Sequence, residues 1–253
     1  MKGCLLFFGE SFRLGKQFTR DIGSDPSYHD QILASKSHLK FIQDINFPID
    51  VYLTSYTTKY SQELIQLYEG YLIRHKFHDS LIGQVELIRQ MLSTIDLSRY
   101  NFILILRIDL FLKPHFTKIF QPSWNTIMWP SICFKPYHTT ARGYPRVNDT
   151  MLFVPQKYFS YLPTIYTSQD THAQWEYLLE HSSLTVHDLD TMLPTFHDSD
   201  SNKDKNPIYR IVNREESTVH HNPGEIFYKH NRIGYILGVI LALGVILQFM
   251  KKR

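Results

Sequence analysis

The sequence predicts an α/β fold, a mainly parallel sheet covered by helices on both faces. Three observations carry that expectation. Short, nearly continuous apolar runs recur along the chain, which is how strands buried on both faces read. Between several of them lie stretches with apolar residues at i, i+3 and i+4, and strands alternating with helices argue for parallel pairing. The composition completes the argument: 43% hydrophobic and 20% charged, with 12 Pro and 11 Gly in 253 residues. That is an ordered globular chain able to bury a substantial core, and it excludes wholesale disorder, collagen-like sequence and a polytopic membrane protein.

Taken in order, the first apolar run is Cys4–Phe8, and its cysteine reads as a small core residue. The second is Ile49–Ser55. A helix is expected over Gln62–Ile73, with Leu64, Leu67, Tyr68 and Tyr71 on one face. Another is expected over Leu81–Ile95, with Val85, Ile88, Leu92 and Ile95 aligned. Strand-like runs resume at Phe102–Ile108, Thr126–Trp129 and Met151–Val154. No repeat, low-complexity tract or long linker interrupts this pattern, so residues 1–216 are expected to form one domain. Cys4 and Cys133 cannot build a disulfide framework and lack metal-ligand spacing, which suits a reducing cytosol.

Residues 233–250 run for 18 positions without a charged side chain. At about 1.5 Å per residue they reach roughly 27 Å, enough for one membrane-spanning helix. Lys229, His230 and Arg232 precede the run, and the basic tail 251–253 follows it. Residues 217–232 then read as a juxtamembrane linker. Only five apolar residues separate Gly3 from Gly9, too few for a secretory signal core. The expectation is a tail-anchored protein with its body facing the cytosol. The basic tail also accounts for the net charge of +3 from 27 Lys and Arg against 24 Asp and Glu. The body is therefore electrically balanced and offers no electrostatic footprint for a nucleic acid.

In parallel sheets, ligands sit beyond the carboxyl ends of the strands, so chemistry is sought there. After the first strand comes Gly9-Glu10-Ser11-Phe12-Arg13. The glycine lets backbone approach a ligand, and Ser11 and Arg13 can meet a phosphate or a nucleoside hydroxyl; an ordinary turn is the alternative. After the second comes Ser55-Tyr56-Thr57-Thr58, where Tyr56 can stack on a base. The third strand runs straight into Arg107-Ile108-Asp109. Charges at the mouth of an apolar strand are costly without partners or a ligand. They read either as a mutually paired Arg and Asp or as a diphosphate site, with Arg107 clamping the anion and Asp109 offering a hard oxygen to a metal. Beside the run Met151–Val154 lie Arg142, Arg146, Asn148 and Asp149. Asp149 is a candidate general base and Arg146 a candidate phosphate contact, against a simple Asn-Asp turn. The densest polar cluster spans 197–207 and includes His197, Asp198 and Lys203. It lacks calcium-loop spacing, and a solvated loop is the alternative.

These motifs resemble a family of glycosyltransferases from large DNA viruses of algae and from algae themselves. The resembling segments are Leu6–Arg13, Ser55–Thr58, Leu106–Leu110, Arg146–Asp149 and His197–Ser201. Their order is similar to the GT-A nucleotide-sugar fold, a Rossmann-like α/β architecture. The resemblance implies that the first strand meets the nucleotide. It also implies that a D-x-D motif holds divalent metal and diphosphate, and that a late His or Asp completes the metal site. Here Arg107 stands at the first acidic position of that motif, where a cation repels a metal yet neutralises a diphosphate. The implied metal set for Mn²⁺ or Mg²⁺ is Asp109, His197 and Asp198; the implied donor contacts are Gly9, Glu10, Ser11, Arg13, Tyr56, Thr57, Arg107, Asp109, Arg146 and Lys203.

The expected function is a membrane-anchored glycosyltransferase that moves a sugar from a nucleoside diphosphate to a hydroxyl of a glycan or protein, with Asp149 and Arg107 as catalytic residues. A metal-dependent phosphohydrolase built on the His197-Asp198 cluster and a non-catalytic membrane adaptor are the alternatives.

Overall fold

A computed structural model of the protein describes residues 1–15, 20–133, 140, 146–168, 170–193 and 206–212. All of them fall within a compact unit spanning Met1–Ser217. The elements begin with β1 (Gly3–Gly9), the short pair β2 (Arg13–Leu14) and β3 (Asp21–Ile22), α1 (Tyr28–Asp44) and β4 (Ile49–Tyr56). They continue with α2 (Ser61–Tyr68), β5 (Leu72–His78), α3 (Gln84–Leu92), β6 (Phe102–Arg107), β7 (Leu110–Leu112) and α4 (Pro114–Ile119). Then come β8 (Ile127–Cys133), β9 (Arg146–Val147), β10 (Met151–Pro155), α5 (Leu162–Ile165), α6 (Gln174–His181), β11 (Leu189–Leu193) and β12 (Tyr209–Ile211).

The central sheet has the order β11-β8-β10-β6-β1-β4-β5, with β9 paired to β8. β6, β1, β4 and β5 run parallel, as do β8 and β11; β10 lies antiparallel between β6 and β8. The expected mainly parallel α/β architecture is what forms. Its logic is visible in β1, where side chains alternate between two cores. Cys4, Leu6 and Phe8 pack with Ile88, Met91 and Leu178 from α3 and α6. Leu5 and Phe7 pack on the other face with Phe41, Leu64 and Phe116 from α1, α2 and α4. A strand covered twice has no polar face to show, hence the unbroken apolar run.

Several elements differ from the sequence reading, among them the helix expected over Leu81–Ile95, which spans Gln84–Leu92. The expected helix Gln62–Ile73 stops at Tyr68, and Ile73 belongs to β5, the sheet's edge. Arg74, His75 and Lys76 are exposed along that strand, so no apolar pattern betrays it, and such charges deter edge-to-edge pairing. Helix α1 escaped notice because its buried face mixes Ala34, Phe41 and Ile42 with Gln31, Ser35 and His38. No helix among the described residues is long and apolar enough to cross a membrane. The apolar run 233–250 lies outside the described residues.

Candidate active site

From β1 the chain moves through β4 to β5 on one side, then returns with β6 on the other side of β1. The loops leaving β1 and β6 therefore diverge, and a crevice opens at their carboxyl ends. Register sets Phe8 beside Arg107 and Gly9 beside Ser55. A cleft of about 300 Å³ occupies this point. It is lined by Phe8, Gly9 and Glu10 after β1, Tyr56 at the end of β4, Arg107 at the end of β6, Arg20, and Leu81, Gly83, Gln84 and Leu87 around the start of α3. Four residues singled out in the sequence, Gly9, Glu10, Tyr56 and Arg107, thus meet in one place. Gly9 turns the chain at φ +112°, a conformation that side-chain-bearing residues rarely adopt.

The Glu10 carboxylate is ion-paired with Nη1 of Arg13 at 2.7 Å and accepts a hydrogen bond from Nη1 of Arg20 at 2.5 Å. At Tyr56 burial first, and then the charge of Glu10, raises the phenol above its usual range. Arg107 grips Asp109 in a fork, with Nε donating to Oδ1 at 2.9 Å and Nη2 donating to Oδ2. The pair is nearly buried, the side chains being 11% and 3% exposed. Paired Arg and Asp, one of the two readings open from sequence, is therefore the geometry found, and Arg107 also lines the cleft.

Asp149 arrives by a different route. Because β10 runs antiparallel to β6, its amino end lies where β6 ends, and the Arg107 N–H donates to the Thr150 carbonyl at 2.9 Å. Asp149 Oδ2 accepts from Thr171 Oγ1 at 2.7 Å and from Gln84 Nε2 at 3.3 Å. Nε2 of His172 lies 4.0 Å away. The His172 Nδ1–H donates to the Val147 carbonyl at 2.9 Å, which fixes the ring. Since Gln84 also lines the cleft, Asp149 stands at the cleft's edge.

Other sequence candidates fall elsewhere. Ser11 is buried and its Oγ lies 2.9 Å from Ser55 Oγ, which also reaches the Gly9 carbonyl at 2.7 Å; it shapes the turn and does not line the cleft. Arg13 is buried and turned inward onto Glu10, and it does not line the cleft. Thr57 is exposed, and its N–H donates to the His78 carbonyl. Arg146 faces Asp170 at 3.7 Å, outside the cleft lining. Asn148 closes its turn by accepting from Thr150 N–H at 3.0 Å and Thr150 Oγ1 at 2.7 Å. His197, Asp198 and Lys203 lie outside the described residues.

The implied Mn²⁺ or Mg²⁺ can be tested against Asp109 directly. Both of its oxygens already accept from a guanidinium, so a divalent ion there would have to displace Arg107 and sit beside it. Asp109 as it is held here does not fit a metal; the other two implied ligands, His197 and Asp198, lie outside the described residues, and among the described residues no group of three His, Cys, Asp or Glu could hold one. Sequence reasoning missed Arg20, Gln84, Thr171 and His172. Gln84 opens a helix, Arg20 sits in a loop and Thr171 and His172 lie in the single 3-10 turn Thr171–Ala173, and no periodicity or strand end marks them.

No family model matches the sequence, and no curated protein does. Solved structures share its general architecture. One is a Drosophila β1,4-galactosyltransferase 7 crystallised with manganese, UDP-Gal and xylobiose: 9% identity over 89% of this chain and 78% of that one, TM-score 0.45. Another is a glycosyltransferase involved in glycosylation of the major capsid of PBCV-1, 8% identical over 78% and 83% of the two chains, TM-score 0.37. A third is 4-diphosphocytidyl-2C-methyl-D-erythritol synthase from Anaerococcus prevotii, 10% identical over 78% and 90%, TM-score 0.46. Such distant likenesses span more than one chemistry, so what this chain does has to rest on its own residues.

Proposed function

We propose that the protein is a glycosyltransferase that moves a sugar from a nucleoside diphosphate to a hydroxyl acceptor on a glycan or protein, held at a membrane by residues 233–250. The observation that carries this reading is the meeting of Arg107, Arg20, Glu10 and Tyr56 in one cleft with Asp149 at its edge. The acceptor oxygen bonds to the anomeric carbon as the bond from that carbon to the phosphate oxygen breaks, and its electron pair leaves with the nucleoside diphosphate. Guanidinium groups fixed beside the departing charge stabilise it most where water is scarce. Tyr56, largely buried in the cleft wall, offers its ring to a base. Asp149, oriented by Thr171 and Gln84, takes the acceptor's proton. The motifs that resemble glycosyltransferases of algal viruses and algae support the same reading, and the 18 uncharged residues of 233–250 support the attachment.

A donor screen tests it. Full-length protein in detergent micelles, offered a panel of nucleoside diphosphate sugars, should release nucleotide with at least one donor. Asp149→Asn should then slow transfer by the roughly 10²-fold or more that general-base removal costs, with donor binding retained. A protein that neither binds nor turns over any nucleoside diphosphate sugar is not a glycosyltransferase, and phosphate release from simple esters would point to the hydrolase instead.

A further inference from the structure

Among the described residues, Glu10 and Asp109 beside the cleft are already held by arginines. Glu10 is ion-paired with Arg13 and accepts from Arg20, and Asp109 accepts through both oxygens from Arg107. Asp149, at the edge, accepts from Thr171 and Gln84. A divalent cation requires several oxygen ligands within bonding distance, and each carboxylate it recruited here would have to let go of a guanidinium or a hydrogen-bond donor first. The same arrangement suits a different task. A guanidinium presents planar, paired N–H donors that match phosphate oxygens, and a carboxylate behind it holds the fork in place before any ligand arrives.

We infer that the site neutralises its phosphorylated ligand with Arg107 and Arg20 and binds it without a divalent cation. This rests on the nucleoside diphosphate reading above. Asp109 and Glu10 then act as positioning residues that aim the two arginines. Arg20 is the more accessible of the two, its side chain 35% exposed, so it can turn from Glu10 to a phosphate without disturbing the core.

Calorimetry on the full-length protein separates the outcomes, using uridine and guanosine diphosphates as probes, once with chelator and once with excess Mn²⁺. Affinity should agree within about twofold between the two conditions. Arg20→Gln should weaken it about tenfold in both, equivalent to ~1.4 kcal/mol, with an unchanged melting temperature. Tightening of tenfold or more by Mn²⁺, or an Arg20→Gln variant that binds like the parent, overturns the inference while leaving the glycosyltransferase reading intact. Failure of both diphosphates to bind in either condition overturns the nucleotide reading itself.

Discussion

Buried charges set the terms at the scale of single residues. Asp109 is nearly inaccessible, and a carboxylate there is tolerable only because Arg107 holds both of its oxygens. Arg107→Ala is therefore expected to act twice. It should remove a charge-assisted hydrogen bond to the ligand, worth roughly 1.5–3 kcal/mol. It should also strand the buried carboxylate, at a cost to stability of about 3–5 kcal/mol. Arg107→Lys keeps the charge but not the fork, so it should fold better than the alanine variant while still binding nucleoside diphosphate weakly. Urea titration and calorimetry on both variants check this, and an alanine variant as stable as the parent would show the pair is not structural. His38 makes a pH-dependent counterpart. Its Nε2–H donates to the Leu110 carbonyl at 2.6 Å, and its Nδ1 accepts from the Tyr68 hydroxyl at 2.7 Å. Burial pushes its pKa down to about 4, against opposing help from Leu110 and Asp109. An unfolded chain protonates this histidine near pH 6.5 and the folded one resists until about 4, so the unfolded state binds more protons in between. Stability should be level above pH 7 and fall as pH drops from 6.5 towards 4, by up to ~3 kcal/mol. His38→Gln, which retains a donor and an acceptor, should lessen that slope in urea midpoints measured across the range.

At the scale of elements, α1 ties the two cleft loops together. Gln31 is fully buried; its Nε2 donates to the Ile108 carbonyl at 2.8 Å, and its Oε1 accepts the Phe12 N–H at 3.2 Å. One loop carries Gly9 and Glu10, the other Arg107 and Asp109. Phe12 sits at φ +52°, a left-handed conformation that costs an ordinary residue roughly 1–2 kcal/mol and persists only when its surroundings hold it. The Gly23 and Ser24 N–H groups, donating to the Phe12 carbonyl, complete that hold. Gln31→Leu should leave a buried N–H and a buried carbonyl unpaired, at about 1–3 kcal/mol each. It should also speed exchange of the Phe12 amide and weaken nucleoside diphosphate binding. Slow exchange and parental affinity in that variant would show that the loops hold themselves.

For the whole molecule, the expected outcome concerns 233–250. Deleting residues 231–253 should turn a detergent-requiring protein into one soluble without detergent, with an unchanged urea midpoint for the remaining body. The reason is that the net charge resides in the last three residues and the remainder is balanced, so the body carries its own polar surface. Partition of the full-length chain into the aqueous phase without detergent would defeat the membrane attachment.

β1, β4, β6 and β10 were legible in the sequence because a strand buried on both faces writes itself as a continuous apolar run, a property of neighbouring residues alone. From those runs, and the tendency of ligands to gather beyond strand ends, the sequence by itself determined where to look, and Gly9, Glu10, Tyr56 and Arg107, all singled out there, line one cleft. It did not determine which carboxylate holds which guanidinium, that Ser11 and Arg13 turn inward, or that Arg20 and Gln84 join the cleft. Only the tertiary structure decided these, because they depend on contacts between distant segments. Gln84 meets Asp149 across 65 positions and Gln31 meets Ile108 across 77. A local pattern of hydrophobicity carries no record of such pairings, and it is they that decide whether Asp109 faces a metal or an arginine.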